Sequence, residues 1–142
     1  MLLGVPHRVG IDLIAVEDVA AALSAHGERY LARVYTDREV QDCAGPAGPD
    51  PLRLAARFAA KEATMKVLRP GDAAVPWPSV EVRRNPGGDV ELALTGAAKA
   101  LAEDAGLSGF AVSLTHDGAY AAAVVVADHA PTALQNQRCH VD

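Results

Sequence analysis

The sequence is poor in aromatic residues and cysteine, and acidic side chains outnumber basic ones. Only 4% of its 142 residues are aromatic, and the two cysteines, Cys43 and Cys139, belong to no CxxC pattern. This spacing disfavours a disulfide framework or a structural zinc site and predicts reduced thiols. The formal net charge of −5 disfavours a uniformly basic nucleic-acid-binding protein, so we expect no nucleic-acid partner.

Long hydrophobic runs are also missing. The longest apolar run, residues 119–127, is far shorter than the roughly 20 residues that span a bilayer. Arg8 and Asp12 interrupt the apolar N-terminal segment, which disfavours a signal-peptide core. We therefore expect a soluble, cytoplasmic protein without a membrane partner. Its length and apolar content predict a single domain over residues 1–128, followed by a flexible polar tail over residues 129–142.

Hydrophobic spacing predicts a mixture of strands and helices. Strands are expected at residues 8–14, 79–84, 90–94, 110–114 and 120–127, with tight turns joining the second to the third and the fourth to the fifth. Helices are expected at residues 16–34 with a break at His26-Gly27, from Thr36 through Cys43, and at residues 52–68 and 96–106. Because strands and helices do not alternate strictly, we predict an α+β fold with an antiparallel sheet.

The helix over residues 52–68 has the clearest boundaries. Asp50 is a favourable N-cap, Pro51 stands at the first helical position, and Pro70-Gly71 follow the helix. The loop over residues 44–51 precedes it. Upstream of that loop, Thr36 and Glu39 have the spacing of a capping box, which predicts the start of the short helix.

The same long helix carries an unusual pattern of charge. Glu62 is its sole acid between Arg53 and Arg69, a segment with five bases, although the whole chain is acidic. Residues four apart share a helix face, which gives two neighbouring columns: Phe58, Glu62 and Lys66, and Arg53, Arg57 and Lys61. A basic patch around one carboxylate favours phosphate binding, with the carboxylate holding a divalent cation. The alternative is a solvated face on which Glu62 and Lys66 form an ordinary i,i+4 ion pair.

Asp12 is the second candidate for metal binding. Strand alternation places it opposite Ile11 and Leu13, and an ionised acid beside apolar neighbours needs a partner or a metal. Magnesium is usually held by one or two carboxylates together with waters and substrate phosphates, and Asp12 with Glu62 would supply that minimum. The alternative is that Asp12 simply stands at a strand end.

The turn after residue 114 is the third candidate. Ser113 and Thr115 are expected to point to one side, and His116 can bond a phosphate or titrate near neutral pH. The alternative is an ordinary surface histidine. The chain contains no GxSxG, GxxxxGK[ST], GxGxxG or HExxH pattern, which disfavours a triad hydrolase, the common nucleotide-binding loops and a zinc protease.

Three segments in this order carry a family resemblance: GIDLIAVEDV, ARFAAKEATMKVL and VSLTHDGAYAAAVVVA. Over roughly residues 9–127 they resemble the holo-acyl-carrier-protein synthase family, the small 4′-phosphopantetheinyl transferases, and YTDREV resembles the segment before the family's long helix. The resemblance implies that an antiparallel sheet packs against a long central helix. It also implies a homotrimer with active sites between subunits. The implied reaction moves 4′-phosphopantetheine from coenzyme A to a serine of an apo acyl carrier protein with Mg²⁺, releasing adenosine 3′,5′-bisphosphate.

The resemblance also implies roles for individual residues. Asp12 and Glu62 would bind the Mg²⁺ on the coenzyme A pyrophosphate, and Glu62 would help to deprotonate the acceptor serine, directly or through a metal-bound water. Lys66 would stabilise charge on the transferring phosphate. The implied contacts to coenzyme A are Arg57, Lys61, Lys66, Thr115 and His116, with Asp117 beside them.

This sequence departs from the family pattern at two positions. Thr115 stands where the family usually has serine, and it keeps the hydroxyl. Asp18 stands near a position where the family presents an arginine to its acidic carrier, so Arg29 and Arg33 become the candidate carrier contacts. Two other functions stay open from the residues: a magnesium-dependent hydrolase of small phosphoesters, and a non-catalytic module that binds a carrier protein or an anion.

Overall fold

The computed structural model describes residues 7–130. In chain order its helices and strands are β1 His7–Ala15, α1 Val16–His26, α2 Glu28–Val34, α3 Asp37–Asp42, β2 Ala44–Gly45, β3 Gly48–Pro49, α4 Pro51–Leu68, β4 Val80–Arg84, β5 Val90–Leu94, α5 Gly96–Asp104, β6 Leu107–His116 and β7 Tyr120–His129. A short 3₁₀ turn, Trp77–Ser79, precedes β4. The predicted strands and helices are confirmed. The structure adds this 3₁₀ turn and the β2–β3 ribbon inside the segment predicted as a loop.

The main sheet has three antiparallel strands in the order β1-β7-β6. Helix α4 packs across one face of this sheet through an alanine-rich surface, and Ala55, Ala59 and Ala63 are fully buried there. The second ribbon, β4 with β5, packs against the same helix and against β6. The predicted α+β fold, with the sheet packed on the long central helix, is therefore confirmed.

Gly10 allows β1 to approach α4 closely. A Cβ atom at this position would clash with the carbonyl oxygen of Ala63, and it would also meet a methyl group of Val67 at 3.2 Å. No residue with a side chain fits there without moving the strand away from the helix. The approach brings the segment after Gly10, which includes Asp12, against the middle of α4.

The predicted helix caps are present. The Asp50 carboxylate accepts from the Leu52 amide at 3.0 Å, and Thr36 and Glu39 form a reciprocal capping box at the start of α3. Helix α4 ends at Leu68, earlier than Pro70, because Arg69 adopts a left-handed conformation with φ +54°. The break between α1 and α2 falls at Gly27.

The face of the main sheet away from α4 is apolar and uncovered in the single chain. Val9, Ile11 and Leu13 of β1 are 64%, 65% and 63% exposed. Strand β7 extends two residues beyond the predicted end, to His129, and residues 131–142 of the predicted tail lie outside the described residues. Within residues 7–130, no helix combines the length and apolarity that a membrane span requires.

Candidate functional site

Asp12 and Lys66 meet where β1 crosses α4. The Lys66 ammonium donates to the Asp12 carboxylate at 3.1 Å and to the Ile11 carbonyl at 2.7 Å. The Asp12 side chain is 18% exposed and that of Lys66 54%. Strand alternation and the close approach at Gly10 explain why Asp12 faces the helix instead of solvent. A partner for this carboxylate was expected from the sequence, and the structure identifies Lys66.

Glu62 completes this group, which we call the carboxylate cluster: Asp12, Glu62 and Lys66. Partial burial and the negative charge of Asp12 raise the pKa of Glu62, whereas the Lys66 ammonium opposes the rise. The contact of Asp12 with Lys66, four residues after Glu62, places the Asp12 carboxylate on the Glu62 face of α4. Among residues 7–130, no ion pair within 4 Å joins Glu62 to Lys66, so the simple i,i+4 pair that we kept as an alternative is absent there.

The donor set of the carboxylate cluster suits magnesium. Mg²⁺ prefers oxygen ligands and keeps several waters, and it is commonly held by one or two carboxylates plus substrate phosphates. In the described part of the chain no three His, Cys, Asp or Glu residues are grouped as a complete metal cage. Asp12 and Glu62 would fill two coordination positions of a Mg²⁺ ion. A phosphate ligand and waters would fill the others, and the exposed Lys66 lies beside them.

A second feature is a cationic groove of about 500 Å³ between α4, β6 and the β4–β5 hairpin. Its charged or titratable lining comprises Arg53, Arg57, Arg84, Asp89 and His116. Arg57 is only 5% exposed and donates to the Arg53 carbonyl at 3.2 Å. Its Nε is buried and has no hydrogen-bond partner among residues 7–130. A buried donor without a partner is costly, so an anion in this groove would satisfy it.

The sequence alone assigned no role to Arg84 or Asp89. The missing information was the fold of the hairpin. Pairing of Arg84 with Val90 places the turn of the β4–β5 hairpin beside the N-terminal half of α4. Only that long-range packing brings Arg84 next to Arg57 and His116.

The carboxylate cluster and the cationic groove lie at opposite edges of the main sheet. Asp12 is on β1 and His116 on β6, with β7 between them. Adjacent strands are about 4.8 Å apart, so about 10 Å separates the two edge strands. On α4, five positions separate Arg57 from Glu62, a rotation of about 140° around the helix axis. One chain therefore places the two groups on different flanks of α4.

Thr115 and His116 face opposite sides of β6. Ser113 and Thr115 point to one side, as predicted, and line a shallow cavity of about 140 Å³ with Ile11 and Val124 on the apolar face. His116 lies on the α4 side, in the cationic groove. Strand alternation separates these neighbouring side chains within one chain, and their contact with coenzyme A stays a prediction.

Lys61 requires a correction. The resemblance implied that it contacts coenzyme A, but its side chain is 0% exposed and its ammonium lies 2.7 Å from the Glu39 carboxylate. It also donates to the carbonyls of Trp77 and Val80. The helical columns correctly placed Lys61 beside Arg57, but this flank of α4 is covered by α3 and β4. Its ammonium cannot reach a ligand from this position.

Asp117 and the two arginines of α2 have simpler environments. The Asp117 carboxylate accepts from the backbone amides of Tyr120 and Ala119 at 2.8 and 3.0 Å, and these bonds lower its pKa. It closes the β6–β7 turn. Arg29 and Arg33 are exposed and one helical turn apart on α2, and Asp18 is exposed on α1.

Comparison with known proteins shows the family of the chain. Residues 8–125 match the model of the 4′-phosphopantetheinyl transferase superfamily. The chain is 39% identical over 127 residues to a holo-[acyl-carrier-protein] synthase of Desulforudis audaxviator, which covers 89% of this chain and 93% of that protein. It is 41% identical over 121 residues to the Moorella thermoacetica protein of the same name, covering 85% and 93%.

The fold is also similar to solved structures. The Chronobacterium ammoniagenes ACPS-CoA complex superimposes with a TM-score of 0.76 at 31% identity, covering 88% of this chain and 98% of that one. The Mycobacterium tuberculosis acyl carrier protein synthase superimposes with a TM-score of 0.65 at 35% identity, covering 87% and 96%.

Proposed function

The chain belongs to the 4′-phosphopantetheinyl transferase superfamily, and from this membership and the carboxylate cluster we infer how it acts. It is a holo-[acyl-carrier-protein] synthase, which transfers the 4′-phosphopantetheine group of coenzyme A to a serine of an apo acyl carrier protein. The serine oxygen forms a bond to the phosphorus nearer the pantetheine, the bond between that phosphorus and the bridging oxygen breaks, and adenosine 3′,5′-bisphosphate leaves. The observation that carries the site assignment is the contact of Asp12 on β1 with Lys66, which lies one helical turn after Glu62 on α4.

Asp12 and Glu62 would hold the magnesium ion of this reaction. When bound, such an ion neutralises phosphate charge and orients the pyrophosphate for in-line attack. Lys66 adds a mobile cation at the same place. Its exposed ammonium can pass from Asp12 to a phosphate oxygen, where it would stabilise the charge that develops during transfer.

Glu62 would also accept the proton of the attacking serine, directly or through a bound water. Burial and the Asp12 charge raise the pKa of Glu62, which makes this carboxylate a better proton acceptor than an ordinary surface glutamate. A cation beside Glu62 would lower this pKa again. Glu62 would therefore be a stronger proton acceptor without the cation and a better metal ligand with it.

The cationic groove would bind a second phosphate of coenzyme A. Because the pyrophosphate belongs at the carboxylate cluster, the phosphate left for the groove is the 3′-phosphate of the ribose. Arg57, with its unpartnered Nε, and His116 are the proposed contacts, joined by Arg84. Guanidinium groups bind phosphate through paired, charge-assisted hydrogen bonds.

We propose a homotrimer with active sites between subunits. The carboxylate cluster and the cationic groove occupy different flanks of α4, so an active site that uses both at one ligand would take them from two chains. The exposed face with Val9, Ile11 and Leu13 supplies apolar surface that neighbouring subunits would bury. Thr115, which lies on that face, would then reach a coenzyme A bound at the subunit boundary.

The carrier protein would dock near α2. Arg29 and Arg33 are both exposed and lie on one face of this helix. They present positive charge suited to an acidic carrier. Asp18 on the preceding helix would weaken any docking contact made through α1.

Intact-mass spectrometry tests the function directly. Incubation of several apo carrier proteins with coenzyme A, Mg²⁺ and the enzyme should add the mass of one phosphopantetheine group to the preferred carrier. A carrier whose acceptor serine is replaced by alanine should remain unmodified. Release of phosphoester products from coenzyme A without any carrier would instead favour a hydrolase. Carrier binding without turnover would favour a non-catalytic module.

A further inference from the structure

Glu39 and Lys61 form an ion pair that is fully buried. Both side chains are 0% exposed and their charged atoms are 2.7 Å apart. They come from different helices, α3 and α4, and lie 22 positions apart in the chain. Burying two charges carries a large desolvation cost before their attraction is counted, and well-packed apolar residues often replace such pairs without loss of stability. A contribution to stability therefore does not explain why an ion pair, and not two apolar residues, occupies these positions.

The hydrogen bonds of the pair converge on one segment. The Lys61 ammonium donates to Glu39, to the Trp77 carbonyl and to the Val80 carbonyl, so all three of its protons have acceptors. Glu39 in turn accepts from the Val82 amide at 3.0 Å and from the Thr36 amide at 2.9 Å. Three of these bonds hold residues 77–82, the 3₁₀ turn and the start of β4.

This segment is connected to both proposed binding regions. The Trp77 ring packs on Phe58 with ring centroids 5.1 Å apart, and Phe58 precedes Glu62 by one turn on the same column of α4. Downstream, β4 leads into Arg84 and the hairpin that form one wall of the cationic groove. A shift of residues 77–82 would therefore move the aromatic surface beside Glu62 and the groove wall together.

We propose that Glu39 and Lys61 are positioning residues of the transferase. Their ion pair locks the start of β4 to α3 and α4, and thereby sets the place of Trp77 and of the β4–β5 hairpin relative to Glu62 and Arg57. Neither side chain touches substrate. This inference rests on the proposed function, because the regions that it positions are those assigned to coenzyme A.

Four variants test the proposal: Glu39→Gln, Lys61→Met, the double variant carrying both, and Lys99→Met as a control that removes an exposed lysine from α5. Trp77 is the only tryptophan of the chain, so fluorescence emission reports directly on the positioned segment. Each variant is assayed for Trp77 emission and for kcat and KM with coenzyme A and an apo carrier. Lys99→Met should match the parent in every measurement.

Lys61→Met leaves the Glu39 carboxylate buried without a counter-ion. Its Trp77 emission should move to longer wavelength, and kcat/KM should fall by about 100-fold, the loss expected when a binding wall shifts by about 1 Å. In the double variant the buried charge is gone, and the side-chain amide oxygen introduced by Glu39→Gln can still accept from the Val82 amide. Emission and activity should recover only in part, because the buried charge is removed while the bonds from Lys61 to the Trp77 and Val80 carbonyls stay lost.

A direct contact between Lys61 and coenzyme A requires the opposite pattern. Activity would then stay as low in the double variant as in Lys61→Met, with parental Trp77 emission in both, and that result would overturn the proposal. If Lys61→Met fails to fold, the Glu39→Gln variant, which keeps Lys61, tests the proposal by its Trp77 emission and its kcat. Shifted emission with lowered kcat supports positioning, and parental values for both overturn it. A parent enzyme that modifies no carrier would refute the proposed function, while the emission data would still test the positioning.

Discussion

The Lys66 ammonium lies 3.1 Å from the Asp12 carboxylate, although 54 positions separate the two residues in the chain. This contact joins β1 to α4 beside Glu62, and it neutralises Asp12 with a lysine that is itself half exposed. A divalent cation can therefore compete with Lys66 for Asp12 and leave the ammonium free for a phosphate. The same lysine thus balances the charge of Asp12 before an ion binds and the charge of the ligand afterwards.

Removal of either carboxylate should abolish transfer while the fold is kept. Asp12→Ala and Glu62→Gln each delete a proposed metal ligand, and we expect carrier modification to fall by at least about 100-fold, comparable to the loss of a principal electrostatic contact to a transition state. Intact-mass spectrometry with time measures the rate. Far-UV circular dichroism and thermal unfolding serve as controls. Full activity in either folded variant would refute the metal-site assignment.

Magnesium and coenzyme A should bind cooperatively. Two carboxylates alone leave most of the six Mg²⁺ positions to water, whereas a pyrophosphate supplies further oxygens. Titration calorimetry should therefore show tighter Mg²⁺ binding in the presence of coenzyme A than in its absence. Treatment with EDTA should stop transfer, and added Mg²⁺ should restore it. Equal Mg²⁺ affinities with and without coenzyme A would contradict the proposed sharing of the ion.

Arg57 should affect the affinity for coenzyme A more than turnover. Replacement by methionine removes a guanidinium that is nearly buried in the cationic groove, and we expect KM for coenzyme A to rise by about tenfold, the value of one hydrogen bond to a charged group. The increase should be smaller with 3′-dephospho-coenzyme A, which lacks the phosphate assigned to the groove. Arg69→Asn is the matched control, because it removes an exposed arginine outside the groove and asparagine tolerates the left-handed conformation at this position.

Cys43 should be unreactive in the folded protein. Its thiol is completely buried, and burial raises its pKa to about 12. At pH 8, far below that value, the thiol is protonated as well as inaccessible, and only the thiolate reacts. In a Cys139→Ser variant, Ellman's reagent should detect no thiol under native conditions and one thiol in guanidinium chloride. Rapid native labelling would show that the segment around Cys43 opens.

A charge on the exposed sheet face should break the proposed trimer. Ile11→Lys places an ammonium at the centre of the apolar surface, and burying an unpaired charge between subunits is strongly unfavourable. Sedimentation equilibrium should show the parent as a trimer and this variant as a monomer with little transferase activity. Ala100→Lys, an added lysine on the exposed side of α5, should remain trimeric. A monomeric parent enzyme with full activity would refute the shared active site.

The sequence was sufficient for the features that depend on local spacing. The capping box of Thr36 and Glu39, the Asp50 cap and the side of β1 on which Asp12 lies all follow from residues a few positions apart. Lys61 was assigned wrongly because its burial depends on Glu39 and on residues 77–80, which only the tertiary fold brings to it. The placement of Thr115 and His116 on opposite sides of β6 follows from strand alternation alone.

Gly10 affects catalysis indirectly, because it sets the position of Asp12. The missing methyl group lets the backbone of β1 rest on the Ala63 carbonyl, two residues before Asp12. A side chain at position 10 would push β1 away from α4 and would move Asp12 away from Glu62 and Lys66. The charged side chains themselves would be unchanged. The spacing of Asp12 from Glu62 and Lys66 thus depends on a residue that has no side chain.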